Sequence, residues 1–313
     1  MALSVSAIVC THNRSGLLKK ALQSLLAQSL PAEEYEILVI DNASSDDTAG
    51  VVRSLGNRSN MKYVYEPKLG LSRARNAGVA RARGRYVAFM DDDAVADPDW
   101  LKNILEAFRS APANVACVGG KVELVWDTAR PHWLGDGPQF FFSELEWTVR
   151  PQILRGDKYF LHGCNMAFLK EILSEAGGFD EGLGRKGESL LSGEDVAIQK
   201  ILRGKGCQSL FDPGIRVRHA VLPQRLSMSW LMKRFAWEGI SLAMIKIRQE
   251  RLSSLARLYV AIKEFIKFVL LCRGLSFLCP AQNPFVIQQR CLAVQKMNYI
   301  LRMLGVQSDS LFL

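Results

Sequence analysis

Four short apolar runs, separated by stretches of helical periodicity, dominate the first 95 residues, and each is closed by a turn or a polar cluster. The runs are Val5–Val9, "YEILVI" (35–40), "MKYVY" (61–65) and "RYVAFM" (85–90). Between the first two, Leu18, Leu22, Leu25 and Leu26 recur at helical spacing over Ser15–Ser29, and Pro31 closes that helix. Ser44 or Ser45 can cap a second helix after "DNASSDDT". Leu71–Arg83 reads as a third, broken by Gly84, and Asp97 with Pro98 starts a fourth. Strands alternating with helices of this length build βαβ units. The expected fold is therefore α/β, a mostly parallel, Rossmann-like sheet flanked by helices. Such sheets bind ligands at the carboxyl ends of their strands. The polar clusters "CTHNR", "DNASSDD" and "DDD" fall at those ends.

The 313 residues are 49% hydrophobic and 23% charged, the balance of a globular chain with one large or two ordinary domains. There is no internal repeat. Seven scattered cysteines, with no CxxC pair, argue against a disulfide framework or zinc site and for a reducing, cytoplasmic setting. The N-terminus reads as a strand, lacking the basic start of a signal peptide. One or two more strands are expected in 115–126, and 127–160, with Trp126, Trp133, Phe140–Phe142 and Trp147, reads as irregular. Charge is unevenly spread: residues 216–274 hold 12 Lys and Arg against three Glu, about the whole net charge of +9. The expected division is 1–220 as one body and 221–313 as a helical, basic C-terminal extension.

In the extension, apolar residues recur at i, i+3 and i+4 with Lys and Arg between them. Lys263, Glu264, Lys267 and Arg273 interrupt its most apolar part, which argues against a membrane span. Two readings stay open. The helices pack on the body with a basic outer face, or they form an interfacial surface for an anionic membrane, peripheral on the cytoplasmic face. No nucleic-acid motif accompanies the charge, so no nucleic acid is expected.

Three adjacent carboxylates repel unless a divalent metal, a ring of Arg or Lys, or open solvent offsets them. On an extended segment Asp91 and Asp93 share a face and Asp92 points away. Two hard oxygen ligands suit Mg²⁺ or Mn²⁺, although a D-x-D alone equally describes a solvated acidic turn.

The ordered set "CTHNR", "VIDNASSDDT", "GLSRARNAGVARARGRYVAFMDDDAVADPDWL", "HGCNMAF", "GGFDEGLG", "GEDVAI" and "VRH" resembles the family 2 glycosyltransferases of the GT-A fold, over residues 4–220. The resemblance implies an inverting, metal-dependent transfer from a nucleotide-diphosphate donor, a UDP-sugar foremost. The acceptor hydroxyl would belong to a polysaccharide, a lipid-linked glycan or a small natural product. Thr11, Asp41 and Arg75 then face the nucleotide, with Asn13, Arg14, Asp91 and Asp92 beside them. Asp93 is the implied direct metal ligand, between the two phosphates, and His219 a further one, for Mn²⁺ or Mg²⁺. Asp195 matches the catalytic base and Glu194 its neighbour; without the resemblance both read as carboxylates matched to a helix N-terminus. Gly163, Asn165 and Ala167 match the stretch that lines the donor sugar. The resemblance also implies that 1–220 is the catalytic domain, with about 1–125 as the nucleotide-sugar end and about 126–220 as the acceptor and base region. Two other readings are a sugar-nucleotide nucleotidyltransferase, whose Gly-rich loop "CTHNRSG" matches poorly, and a non-catalytic nucleotide-sugar-binding scaffold.

Overall fold

The computed structural model describes residues 3–135, 141–156, 158–273 and 283–306. Phe140, in the aromatic region noted above, lies outside them. The chain divides into two compact units. The first contains Met1–Val125, Ser143–Gly182 and Glu194–Ala220.

That unit is built on a sheet whose parallel half has the order β3-β2-β1-β4. Its strands are β1 (Val5–Thr11), β2 (Tyr35–Asp41), β3 (Met61–Tyr65) and β4 (Tyr86–Asp91). β1 is almost wholly and β2 wholly buried, as expected of strands covered on both faces. The crossovers are α1 (Ser15–Leu26), α2 (Thr48–Ser54) and α3 (Leu71–Arg81). α1 turns Leu18, Ala21, Leu22 and Leu25 inward, the 3–4 spacing its sequence carries. α3 lies close on the sheet because Gly78 faces it: a Cβ there would come within 2.6 Å of Ile8 Cγ2. The expected α/β sheet flanked by helices is thus present.

Beyond β4 the sheet turns antiparallel. β8 (Asn165–Leu169) pairs with β4, β6 (Val115–Trp126) with β8, and β5 (Ala94–Ala96) with β9 (Gln208–Val221). β7 (Gln152–Leu154) also pairs with β9. The fourth helix, α4, starts at Trp100 rather than at Asp97 and runs to Ser110. Residues 94–96 are drawn into the sheet by β9, so Asp97–Asp99 form the turn before the helix, with Trp100 N–H donating to the Asp97 carbonyl at 3.0 Å. Two short helices complete the unit, α5 (Lys170–Glu175) and α6 (Glu194–Gly204).

The second unit contains Trp126–Phe142, Leu183–Gly193 and Val221–Leu313. It is helical, with α7 (Met228–Gln249), α8 (Ser254–Arg273) and α9 (Pro284–Met303). Ala243, Ala261, Ile300 and Met303 form its small helix-packing core. Elsewhere in the unit Phe142 lies on Trp230 with ring centroids 5.4 Å apart. Among the described residues no helix is long and apolar enough to cross a membrane. The described cysteines Cys10, Cys117, Cys164, Cys207 and Cys291 are free thiols.

Candidate active site

Parallel pairing puts the ends of β1, β2 and β4 at one edge. Thr11 is in register with Asp41, and Cys10 with Asp91. Three of the polar clusters read from the sequence therefore meet without any further packing. The aspartate run leaves the strand at once: Asp91 ends β4, and Asp92 and Asp93 form the turn into β5. The strict alternation of an extended segment therefore does not apply to it. Asp92 does not point away from the group but lies beside Asp93 under one guanidinium. Arg14 Nη1 donates to Asp92 Oδ1 and to Asp93 Oδ2, each at 3.0 Å. Thr11 Oγ1 donates to Asp92 Oδ2 at 2.7 Å. Burial pushes the Asp92 carboxyl up to about 6, against the pull of Arg14 and with repulsion from Asp93 added. A cation from the chain itself is thus one offset for the repulsion.

His219 reaches the same place through sheet register. β5 pairs antiparallel with β9, Ala94 stands opposite His219, and Ala220 N–H donates to the Asp93 carbonyl at 2.9 Å. His219 Nε2 consequently lies 3.1 Å from Asp93 Oδ1, both side chains nearly inaccessible. His219 Nδ1 is buried without a hydrogen-bond partner. Asp91, Asp93 and His219 each present a ligand atom within 4.8 Å of the others. Two carboxylate oxygens and an imidazole nitrogen in that space fit Mn²⁺ or Mg²⁺, the imidazole favouring Mn²⁺.

Arg75, on α3, connects this cluster to the acidic pair of α6. It is 2% exposed, wedged between the rings of Phe89 and Phe179. Its Nη1 donates to Glu194 Oε1 at 2.6 Å and its Nη2 to Asp91 Oδ1 at 3.3 Å. Burial raises the Glu194 carboxyl above its ordinary range, Arg75 opposing it and Asp195 reinforcing it. Asp195 Oδ2 accepts from the Gly163 N–H at 2.9 Å. A Cβ at 163 would stand 2.6 Å from Arg75 Nη2, so a larger residue there would displace that guanidinium. Burial drives the neighbouring Cys164 thiol well above its usual value, and the charges of Asp91, Asp93 and Asp195 all push it further. Residues separated by a hundred positions of chain therefore act on one buried atom.

Other sequence-selected residues are engaged in ways their positions did not reveal. Asp41 accepts from Ser44 N–H at 2.9 Å and from the Tyr63 hydroxyl at 2.5 Å. Asn13, at φ 53°, ties the first loop to the second: Ser45 N–H donates to its Oδ1 at 2.7 Å. Asn165 is fully buried, accepting from Trp100 Nε1 and donating to the Lys121 and Ile215 carbonyls. Its amide is a strut that joins α4, β6 and β9, with both polar atoms committed to the fold. Ala167 lies within β8, opposite Ala88 of β4 and Val118 of β6. Tyr63 and Cys164 were not anticipated. The signal for Tyr63 was its place two residues before the end of an edge strand beside β2; Cys164 carried none beyond its neighbours.

The family model for glycosyl transferase family 2 matches residues 6–177. A glucosyl-dolichyl phosphate glucuronosyltransferase of Haloferax volcanii is 27% identical over 248 residues, 76% of this chain and 76% of that protein. The succinoglycan biosynthesis protein ExoM of Rhizobium meliloti is 30% identical over 230 residues, covering 72% of this chain and 70% of its own. Among solved structures, the mannosyltransferase PcManGT from Pyrobaculum calidifontis, in complex with GDP-Man and Mn²⁺, superposes with a TM-score of 0.63 at 19% identity. That superposition covers 96% of this chain and 88% of the mannosyltransferase, and it shows the GT-A fold. With more than half of its length matched by the family model, and with the carboxylate cluster at the strand ends, this chain belongs to the family 2 glycosyltransferases.

Proposed function

We propose that the chain is an inverting, divalent-cation-dependent transferase that moves a sugar from a nucleoside-diphosphate donor, a UDP-sugar foremost, to an acceptor hydroxyl. The observation that carries the reading is the group of Asp91, Asp93 and His219, whose ligand atoms lie within 4.8 Å of one another, with Arg75 bridging Asp91 to Glu194 beside Asp195. Asp93 and His219, with Asp91, would hold Mn²⁺ or Mg²⁺. Such a cation, when bound, supplies Lewis-acid charge that offsets the diphosphate leaving group. Asp41 and Thr11, with Asn13, Arg14 and Arg75, make the nucleotide end; a carboxylate accepts well from the ring N–H of uracil. Asp92 keeps Arg14 and Thr11 in place for that contact. Gly163 and Glu194 border the donor sugar, and Asn165 stiffens the wall behind them. Residues 1–125 serve as the nucleotide part and 126–220 as the acceptor and base part.

Asp195 takes the proton of the acceptor hydroxyl. The acceptor oxygen forms its bond to the anomeric carbon from the face opposite the diphosphate. The carbon–oxygen bond to the diphosphate breaks, and its electron pair leaves with the nucleotide. One displacement inverts the stereochemistry. The names of the two relatives above support an acceptor within lipid-linked glycan or polysaccharide assembly. A peripheral place on the cytoplasmic face of a membrane is proposed with it, on the basic, periodically apolar extension.

The test is incubation with a panel of nucleotide sugars and Mn²⁺. Slow hydrolysis of one donor, lost in EDTA and in Asp93→Ala, is the expected result. Pyrophosphate-dependent turnover would identify a nucleotidyltransferase instead, and tight donor binding unaltered in function by Asp195→Asn a scaffold.

A further inference from the structure

α8 carries two apolar faces, and among the described residues only one is covered. Val260, Ala261 and Phe268 pack with Ala243 and Ile247 of α7 and with Tyr299, Ile300 and Met303 of α9. On the other side Leu255, Tyr259, Ile262, Phe265, Ile266 and Leu270 stand out, between 49% and 80% exposed. Their spacing of three and four residues makes one stripe along the helix, about 30 Å long for its 20 residues. A stripe of large apolar side chains this long marks an interaction surface.

Charge selects the partner. Lys263 and Lys267 run along one border of the stripe and are exposed. The single carboxylate of α8, Glu264, accepts from Lys267 at 2.6 Å and from Lys296 of α9 at 2.7 Å. Burial alone would raise that carboxyl, but the two lysines outweigh it and hold it below the usual carboxylate range. The border therefore offers a second copy of this chain only like charge. It offers an anionic lipid headgroup the Lys263 ammonium, and the Lys267 ammonium that it shares with Glu264, beside an apolar surface. Lys263, Glu264 and Lys267 in mid-helix are incompatible with spanning and compatible with lying flat.

We propose that α8 lies in the interface of an anionic bilayer, with Leu255, Tyr259, Ile262, Phe265, Ile266 and Leu270 among the upper acyl chains. Lys263 and Lys267 rest against the lipid phosphates. This names the surface behind the membrane placement offered above, and it requires neither donor nor acceptor, so it is tested apart from sugar transfer.

The experiment is sedimentation of the full chain with vesicles of phosphatidylcholine alone or with phosphatidylglycerol added. The chain should bind the anionic vesicles and lose binding in high salt. Ile262→Ser with Ile266→Ser should lower the partition coefficient about tenfold or more, and each of Lys263→Gln and Lys267→Gln about fivefold. Donor hydrolysis should stay unchanged in these variants; melting temperature should stay unchanged in the isoleucine pair and in Lys263→Gln, while Lys267→Gln also loses its ion pair with Glu264. Equal binding to both vesicle types, or binding indifferent to the isoleucine pair, would overturn the proposal. So would a dimer in the absence of lipid that the isoleucine pair dissolves, which would make the stripe a contact between copies.

Discussion

Replacing Arg75 by Met tests how the candidate site is held together. The substitution keeps most of the stem between Phe89 and Phe179 and removes the guanidinium. Glu194 then loses its 2.6 Å partner while staying 5% exposed, and its Oε2 already has no hydrogen bond. Asp91 is less affected, because its side chain is 33% exposed and water replaces Arg75 there. Removing one member of a buried pair typically costs about 3–5 kcal/mol. Glu194 has an escape, since burial already favours its neutral form: taking a proton limits the loss, each pKa unit being about 1.4 kcal/mol. The expected destabilisation is therefore about 2–4 kcal/mol at pH 7. Adding Glu194→Gln to Arg75→Met removes the orphaned acid. The double variant should be less destabilised than the sum of the singles by about 0.5–3 kcal/mol. Urea unfolding followed through the fluorescence of buried Trp100 reads both numbers. A loss under about 1 kcal/mol for Arg75→Met, or strict additivity in the double variant, would refute the reasoning, because a buried charge with one compensating partner cannot lose it cheaply.

Asp195→Asn should lower the transfer rate about 10²–10⁴-fold, since the amide cannot take the acceptor proton. Donor affinity by calorimetry should change little; retention of a tenth of the rate would remove Asp195 from the role of base. Glu36 sets an acid limit on stability. Burial alone would raise its carboxyl, but the Arg83 backbone N–H, the Ser6 hydroxyl and the Arg83 side chain outweigh it and hold it below the ordinary range. A depressed carboxylate contributes stability above its unfolded value of about 4.3, and that contribution is lost as pH falls through the folded one. Glu36→Gln should therefore melt lower at pH 7 with a shallower loss below pH about 4 than the parent. A difference that grows on acidification would contradict this.

The candidate site was legible to the extent that it rests on chain-local rules. Strands β1, β2 and β4 end in polar clusters, and parallel pairing alone carries those ends to one edge, which is why the aspartate run and Asp41 could be selected. β5 was missed because three residues have no periodicity of their own; only pairing with β9 makes them a strand, and that pairing also shifts the start of α4 to Trp100. The side-chain alternation expected for Asp91–Asp93 failed because the segment turns.

By itself the sequence determined the four parallel strands with the helices between them, the order of the motifs, and the acidic residues. It also determined that the last third is cationic and periodically apolar. Tertiary structure alone decided what faces what. Arg14, read as a nucleotide contact, sits between Asp92 and Asp93; Asn165, read as lining the donor sugar, is a fully committed strut; Arg75 joins two acidic motifs 103 residues apart, Asp91 and Glu194. The exposed stripe of α8 likewise emerged only when the opposite face had found its partners. The physical reason is common to all of these. Periodicity and capping are free energies of neighbouring residues, whereas a buried charge or an uncovered apolar face is defined by distant groups that desolvate or pair with it.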